Sequence, residues 1–156
     1  MPFAVTNPWF SGEAEVATYV LDELLGTKLR ALYQRRKGRD LFDLWHALRA
    51  GRVDSARLLS CFHRYMTAGG HGISRALFEE NLALKRAQPD FRSDMAPILR
   101  PGVAWDVDLA MDAVLAQLVA HLPGDPWRGE PSPPVAPAAR ATTRAETQRA
   151  AVRAES

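Results

Sequence analysis

Five leucines, Leu21, Leu24, Leu25, Leu29 and Leu32, recur at the i, i+3, i+4 spacing of a single helical face. That stripe predicts a helix over 21–36, and a helix with one apolar face needs other helices to cover it. The rest of the chain supplies them. Gly38 breaks the first pattern, and Asp40 is placed to cap a second helix through Ala50, with Leu41, Leu44, Trp45 and Leu48 inward and Gly51 closing it. Asp54 is placed to cap a third, carrying Leu58, Leu59, Phe62, Tyr65 and Met66 and ended by Gly69-Gly70. Ser74 begins a fourth with Leu77, Phe78, Leu82 and Leu84, stopped at Pro89. A loop with Pro97, Pro101 and Gly102 leads to Asp106 and a last helix to about Leu122, before Pro123-Gly124. The expected fold is mainly α, a bundle of about five helices.

Ahead of the bundle the rhythm is different. Residues 3–6 read as a short edge strand, and the alternation from Glu13 to Val20 predicts a strand over 14–19. Two strands do not complete a sheet, so this segment calls for a neighbour. Behind the bundle, Pro131, Pro133, Pro134 and Pro137 lead into an Ala/Arg/Thr/Glu stretch with Val135 and Val152 as its only branched aliphatics. Such a segment buries too little to offset the entropy of ordering. Residues 1–127 therefore read as one domain and 128–156 as a disordered tail.

Composition narrows the classes further. With 47% hydrophobic residues in 156, the chain can bury a core. No apolar run approaches the roughly 18–20 residues that cross a bilayer, Met1-Pro2-Phe3 opens no secretory signal, and Cys61 is alone, so the chain reads as cytoplasmic, with no membrane and no cysteine zinc site. Residues 1–130 hold 16 Lys+Arg against 16 Asp+Glu; the tail supplies the whole +2. A basic domain is not implied.

One position conflicts with the stripe. Taking Leu21 as zero and roughly 100° per residue, Leu32, Leu25 and Leu29 fall at about 20°, 40° and 80°, and Leu24 at about −60°. Lys28 lands at about −20°, inside the greasy arc, and Arg35 at about −40°. A buried unpaired ammonium is prohibitively costly, so Lys28 has to pair, snorkel or face a cleft. Asp40 and Asp43 follow on the next helix and can reach back if the two form a hairpin. Simpler readings stand beside this: Asp40 as a cap, Lys28 as a structural bridge, Arg35, Arg36, Lys37 and Arg39 as a solvated turn. Six cations from Lys28 to Arg39 with two acids behind them also suit a phosphate pocket, where arginine forks hold oxygens and a lysine offsets charge during transfer.

The stretch Leu24-Leu25-Gly26-Thr27-Lys28-Leu29-Arg30-Ala31-Leu32, followed by Gln34-Arg35-Arg36-Lys37-Gly38-Arg39-Asp40-Leu41-Phe42-Asp43-Leu44-Trp45, resembles the third motif of the AbiEii family. These are nucleotidyltransferase-like toxins of type IV toxin–antitoxin and abortive phage-infection systems. The resemblance implies transfer of a nucleotide from an NTP with Mg2+, tRNA as acceptor and a cognate antitoxin as partner. It implies Lys28, Asp43 and Asp40 as catalytic residues and Arg35, Arg36 and Arg39 as phosphate- or RNA-binding ones. Such enzymes open with a sheet bearing G-[GST] and a D-x-D pair for the metal. Here the only D-x-D, Asp106-Val107-Asp108, begins a predicted helix and reads as a cap. The expectation is a truncated C-terminal lobe with no metal site and its catalytic half absent, inactive alone or completed by another chain. The alternative is a non-catalytic helical module that binds RNA or a protein partner. His46, His63, His71 and His121 are dispersed, and Gly69-Gly70-His71-Gly72 reads as a turn.

Overall fold

The computed structural model describes residues 2–15 and 18–132 and shows a mainly α fold behind a short N-terminal hairpin. Strands β1 (Pro2–Asn7) and β2 (Phe10–Glu15) pair antiparallel, Phe3 opposite Ala14 and Asn7 opposite Phe10. The Asn7 side chain fixes the turn, accepting from the backbone N–H of Trp9 at 3.0 Å and of Phe10 at 2.9 Å. The second strand therefore starts earlier than the alternation predicts, and the expected strand over 14–19 is replaced by one that ends at Glu15. Val16 and Ala17 lie outside the described residues, and Val20 already caps the first helix. Alternation puts Phe3, Val5, Phe10, Gly12 and Ala14 on one face of the hairpin, where Val5 and Gly12 are half-buried and the others exposed.

Among the described residues six α-helices follow: α1 (Leu21–Gln34), α2 (Gly38–Arg49), α3 (Ser55–Ala68), α4 (Arg75–Arg86), α5 (Pro89–Ser93) and α6 (Val107–Gln117). Three starts are capped by the predicted side chains. Asp54 accepts from Arg57 N–H, Ser74 from Leu77 N–H, and Asp106 from the N–H of Asp108 and Leu109. The α5 turn was not anticipated: Pro89, read as a stop, sits in its first turn, where a missing N–H costs nothing, and Phe91 is buried behind it. The last helix ends at Gln117 and tightens into a 3-10 turn over Val119–His121, short of the predicted Leu122.

The core gathers Leu29, Leu32, Leu41, Leu44, Leu58, Phe62, Phe78, Met111 and Val114 from five of the helices. Each such side chain contributes about 1.5–3 kcal/mol relative to exposure. Helix α1 packs on α2 and α3, and its phase differs from the leucine count. Leu21 and Leu24 are exposed, whereas Asp22 and Gly26 are buried with Leu25, Leu29 and Leu32. Gly26 sets this phase: a Cβ there would stand 2.9 Å from Cys61 Cβ and 3.1 Å from Leu58 O, so only glycine lets α1 and α3 approach so closely. Leu84, read as inward on α4, is exposed as well.

Past α6, the backbone N–H groups of Trp127 and Ser132 donate to Glu79 and Glu80, which ties the chain through residue 132 along α4. The remainder of the expected disordered tail, 133–156, lies outside the described residues. Among the described residues no helix is long and apolar enough to cross a membrane.

Candidate functional site

The turn between α1 and α2 is short, so the C-terminal half of α1 faces the first turns of α2. Lys28 Nζ lies 2.7 Å from Asp43 Oδ2 and 3.7 Å from Asp40 Oδ1. Arg35 closes on the same Asp40 with a two-pronged contact, Nε to Oδ2 at 2.8 Å and Nη2 to Oδ1 at 2.9 Å. That contact raises the Arg35 pKa above its ordinary value and keeps the guanidinium charged. The four predicted residues Lys28, Arg35, Asp40 and Asp43 thus form one connected cluster.

Their environments are unequal. Asp40 is fully buried, whereas the Lys28 and Asp43 side chains are 29% and 42% exposed. With the buried arc of α1 centred near Leu29, Lys28 lies at its margin and its side chain is only partly covered. The conflict read from the leucine wheel was therefore overstated: the wheel counted Leu21 and Leu24 as buried and moved the arc toward Lys28.

Asp40 is not a cap. Lys37 holds that position without a side-chain bond, and Asp40 sits inside the first turn facing α1. Asp94, just beyond α5, serves the helix start instead, accepting from Arg39 N–H at 3.3 Å and lying 3.6 Å from Lys37 Nζ. Gly38 permits this arrangement, since a Cβ there would meet Phe91 O at 2.7 Å. Arg36 and Arg39 are exposed, and among the described residues neither guanidinium has an ion-pair partner.

Thr27, Lys28, Arg30, Ala31, Gln34 and Arg35 line a concavity of 340 Å3 on this flank of α1. Arg30, one of the six cations but not among the expected site residues, has Gln34 as its only side-chain partner among the described residues, through Nε–H to Oε1 at 3.1 Å. The concavity presents three cations and no carboxylate of its own, with the acids behind the rim. It can hold a polyanion.

A second lysine escaped the sequence reading altogether. Lys85 on α4 is 3% exposed and donates to Tyr33 O at 2.9 Å, to Asn81 Oδ1 at 2.6 Å and to Leu32 O. It satisfies carbonyls that the end of α1 leaves free. Burial first, then the nearby Arg36 charge, pushes its pKa down to about 8, with Asp40 opposing. The signal was available: Lys85 follows Phe78 by seven residues and Leu82 by three, on one helical face.

A divalent cation does not fit the Lys28 cluster, because both Asp40 oxygens already serve cations and Asp43 is engaged by Lys28. Among the described residues no group of three or more His, Cys, Asp or Glu side chains gathers to hold a metal.

A family model described as the nucleotidyl transferase AbiEii toxin of a type IV TA system matches residues 1–113. The match takes in the hairpin and every helix through most of α6, not a helical remainder alone. It overturns the expectation of a truncated C-terminal portion with its catalytic half absent. With that expectation falls the ground for denying the chain the family's nucleotide- and metal-binding equipment. No curated protein and no solved structure matches the chain. Because the match spans well over half of the 156 residues, the chain belongs to the AbiEii nucleotidyltransferase toxin family.

Proposed function

We propose that the chain transfers a nucleotide from an NTP to RNA, with tRNA as the acceptor, and that the α1–α2 corner binds the triphosphate. Membership of the AbiEii family supports the reaction class. The observation that carries the placement is Lys28 held at the rim of a cationic concavity, 2.7 Å from Asp43, while a wholly buried Asp40 orients both it and Arg35. A structural bridge alone would not need three further guanidiniums, of Arg30, Arg36 and Arg39, without carboxylate partners among the described residues.

In nucleotidyl transfer an acceptor hydroxyl attacks the α-phosphate, the new O–P bond forms, and the bond to pyrophosphate breaks. Negative charge grows on the phosphate oxygens and on the leaving group. Lys28 is placed to offset that charge, and Arg35, Arg36 and Arg39 to grip the remaining phosphates. When phosphate oxygens take Lys28, Asp43 is freed, and its exposed carboxylate is positioned to accept the hydroxyl proton. Asp40 stays buried and acts through Lys28 and Arg35. Action in the cytoplasm, restrained by a cognate antitoxin, completes the reading.

The test is incorporation of labelled NTPs into total tRNA by the purified full chain with Mg2+ supplied. Incorporation lost in Lys28→Met and Asp43→Asn at unchanged melting temperature is the expected result. RNA binding without incorporation from any of the NTPs would return the chain to a non-catalytic binding module.

A further inference from the structure

Two clefts of 480 Å3 each lie away from the Lys28 corner, and their charge separates them. The one between α4 and α6 carries Arg75 and Arg86, but Glu79 and Asp112 neutralise them in place. The other lies between the C-terminal end of α2 and the 102–104 loop, with Trp45, His46, Arg49 and Ala50 as its helical wall. Among the described residues no carboxylate lines it. Among the described residues Arg49 has no ion-pair partner; its guanidinium lies 4.8 Å from the centre of the Trp45 ring. His46 is exposed and stacks on Phe42 at 5.7 Å with only 10° between the planes, so an aromatic stack ends at solvent.

The position of this cleft on α2 matters as much as its chemistry. Arg39, Asp43, His46 and Ala50 follow one another at spacings of four, three and four, which puts them on a single face of the helix. Arg39 and Asp43 belong to the proposed NTP site; His46 and Ala50 belong to the cleft. The stripe runs about 16 Å from Arg39 to Ala50 at about 1.5 Å per residue. An extended strand entering at the aromatic end and following the stripe arrives at Asp43.

We infer that this cleft binds the single-stranded end of the acceptor RNA, with a base stacked on the outer face of His46 and Arg49 on a neighbouring phosphate. The inference rests on the proposed transfer to RNA and adds where the acceptor lies. Single strands are held by this combination of aromatic faces and cations, because every base offers a π-face and every linkage a charge. Among the described residues no carboxylate faces Arg49 across the cleft, and an unneutralised guanidinium favours a polyanion as the occupant.

The experiment measures affinity of the full chain for a labelled single-stranded RNA of about 12 nucleotides and, separately, for NTP. His46→Ala and Arg49→Gln, both at exposed positions, are each expected to weaken RNA binding by about tenfold and to leave NTP affinity unchanged. Arg49→Gln is also expected to reduce the salt slope of RNA binding by about 1. RNA affinity unchanged in both variants, or an RNA duplex bound as well as the single strand, overturns the inference. Lys28→Met separates the two readings. Unchanged NTP affinity in that variant defeats the triphosphate site, while dependence of RNA binding on His46 and Arg49 still supports the cleft.

Discussion

Two lysines meet helix α1 from different sides, and the protein treats their charges in opposite ways. Lys28, on α1 itself, is partly open, faces two carboxylates and lines a concavity. Lys85 comes across from α4, is almost fully buried and, among the described residues, has no carboxylate at hydrogen-bond range, only carbonyl oxygens of Leu32 and Tyr33 and the Asn81 amide. The difference lies in what each site allows to change. The Lys28 side chain is partly open to solvent, and on the proposed reading phosphate displaces its half-exposed partner Asp43. Lys85 is enclosed by acceptors that belong to the fold, so it holds the end of α1 where Arg35 and Arg36 emerge. On the proposed reading, charge at a helix corner serves binding at Lys28, whereas at Lys85 it satisfies backbone carbonyls.

Substitution tests this division most directly. Lys28→Met is expected to lower nucleotide transfer by about 10²- to 10³-fold, the range for removing a group that stabilises developing charge. Its melting temperature should stay near the parent value, because the Lys28–Asp43 pair is partly exposed and worth about 0–1 kcal/mol, and Arg35 still pairs with both oxygens of the buried Asp40. A large loss of stability with normal transfer would reverse the assignment. Lys85→Met should behave in the opposite sense. It leaves buried acceptors without a donor at about 1–3 kcal/mol each, offset in part by removing a desolvated charge, so a net loss of about 2–4 kcal/mol is expected by chemical denaturation.

Proton linkage offers a second view of the same contrast. The Lys85 amine releases its proton near 8 in the fold, against the ordinary value of 10.5. Between those values the unfolded chain holds the extra proton, so stability from this group rises with pH, by roughly 1–3 kcal/mol. Denaturation at pH 7.5 and pH 10 should show that rise in the parent and lack it in Lys85→Met; an equal rise in both would assign it elsewhere. The smallest change belongs to Asp43→Asn, whose half-exposed carboxylate should alter stability by less than about 0.5 kcal/mol while still impairing transfer.

Much of this was legible in one dimension. The helix starts at Asp54, Ser74 and Asp106 follow from capping chemistry, which is local and repeats wherever a helix begins. The grouping of Lys28, Arg35, Asp40 and Asp43 followed from a short connection between two periodic helices. What misled was equally specific. An aspartate just inside a helix looks like a cap whether or not it caps, and Asp40 is identified as a buried counter-ion only once α1 lies across it. Leu21 and Leu24 keep helical rhythm with the core leucines yet face outward, because the close approach of α3 at Gly26 turned the helix. The β2 register depended on the Asn7 turn, not on the alternation that follows it.

From residue order alone came the mainly helical class, the approximate limits of most helices, the basic corner with its acid pair and the family those residues resemble. These depend on spacing along the chain, where a 3.6-residue period and a cap leave their mark without any distant contact. Three-dimensional packing decided which face of α1 is buried, that Asp94 and not Asp40 meets the start of α2, that Lys85 closes the end of α1, and that Arg49 stands unneutralised beside an aromatic stack. Those outcomes turn on which groups from remote segments fill the same few ångströms. No periodicity encodes that, because burial and pairing are properties of neighbours in space.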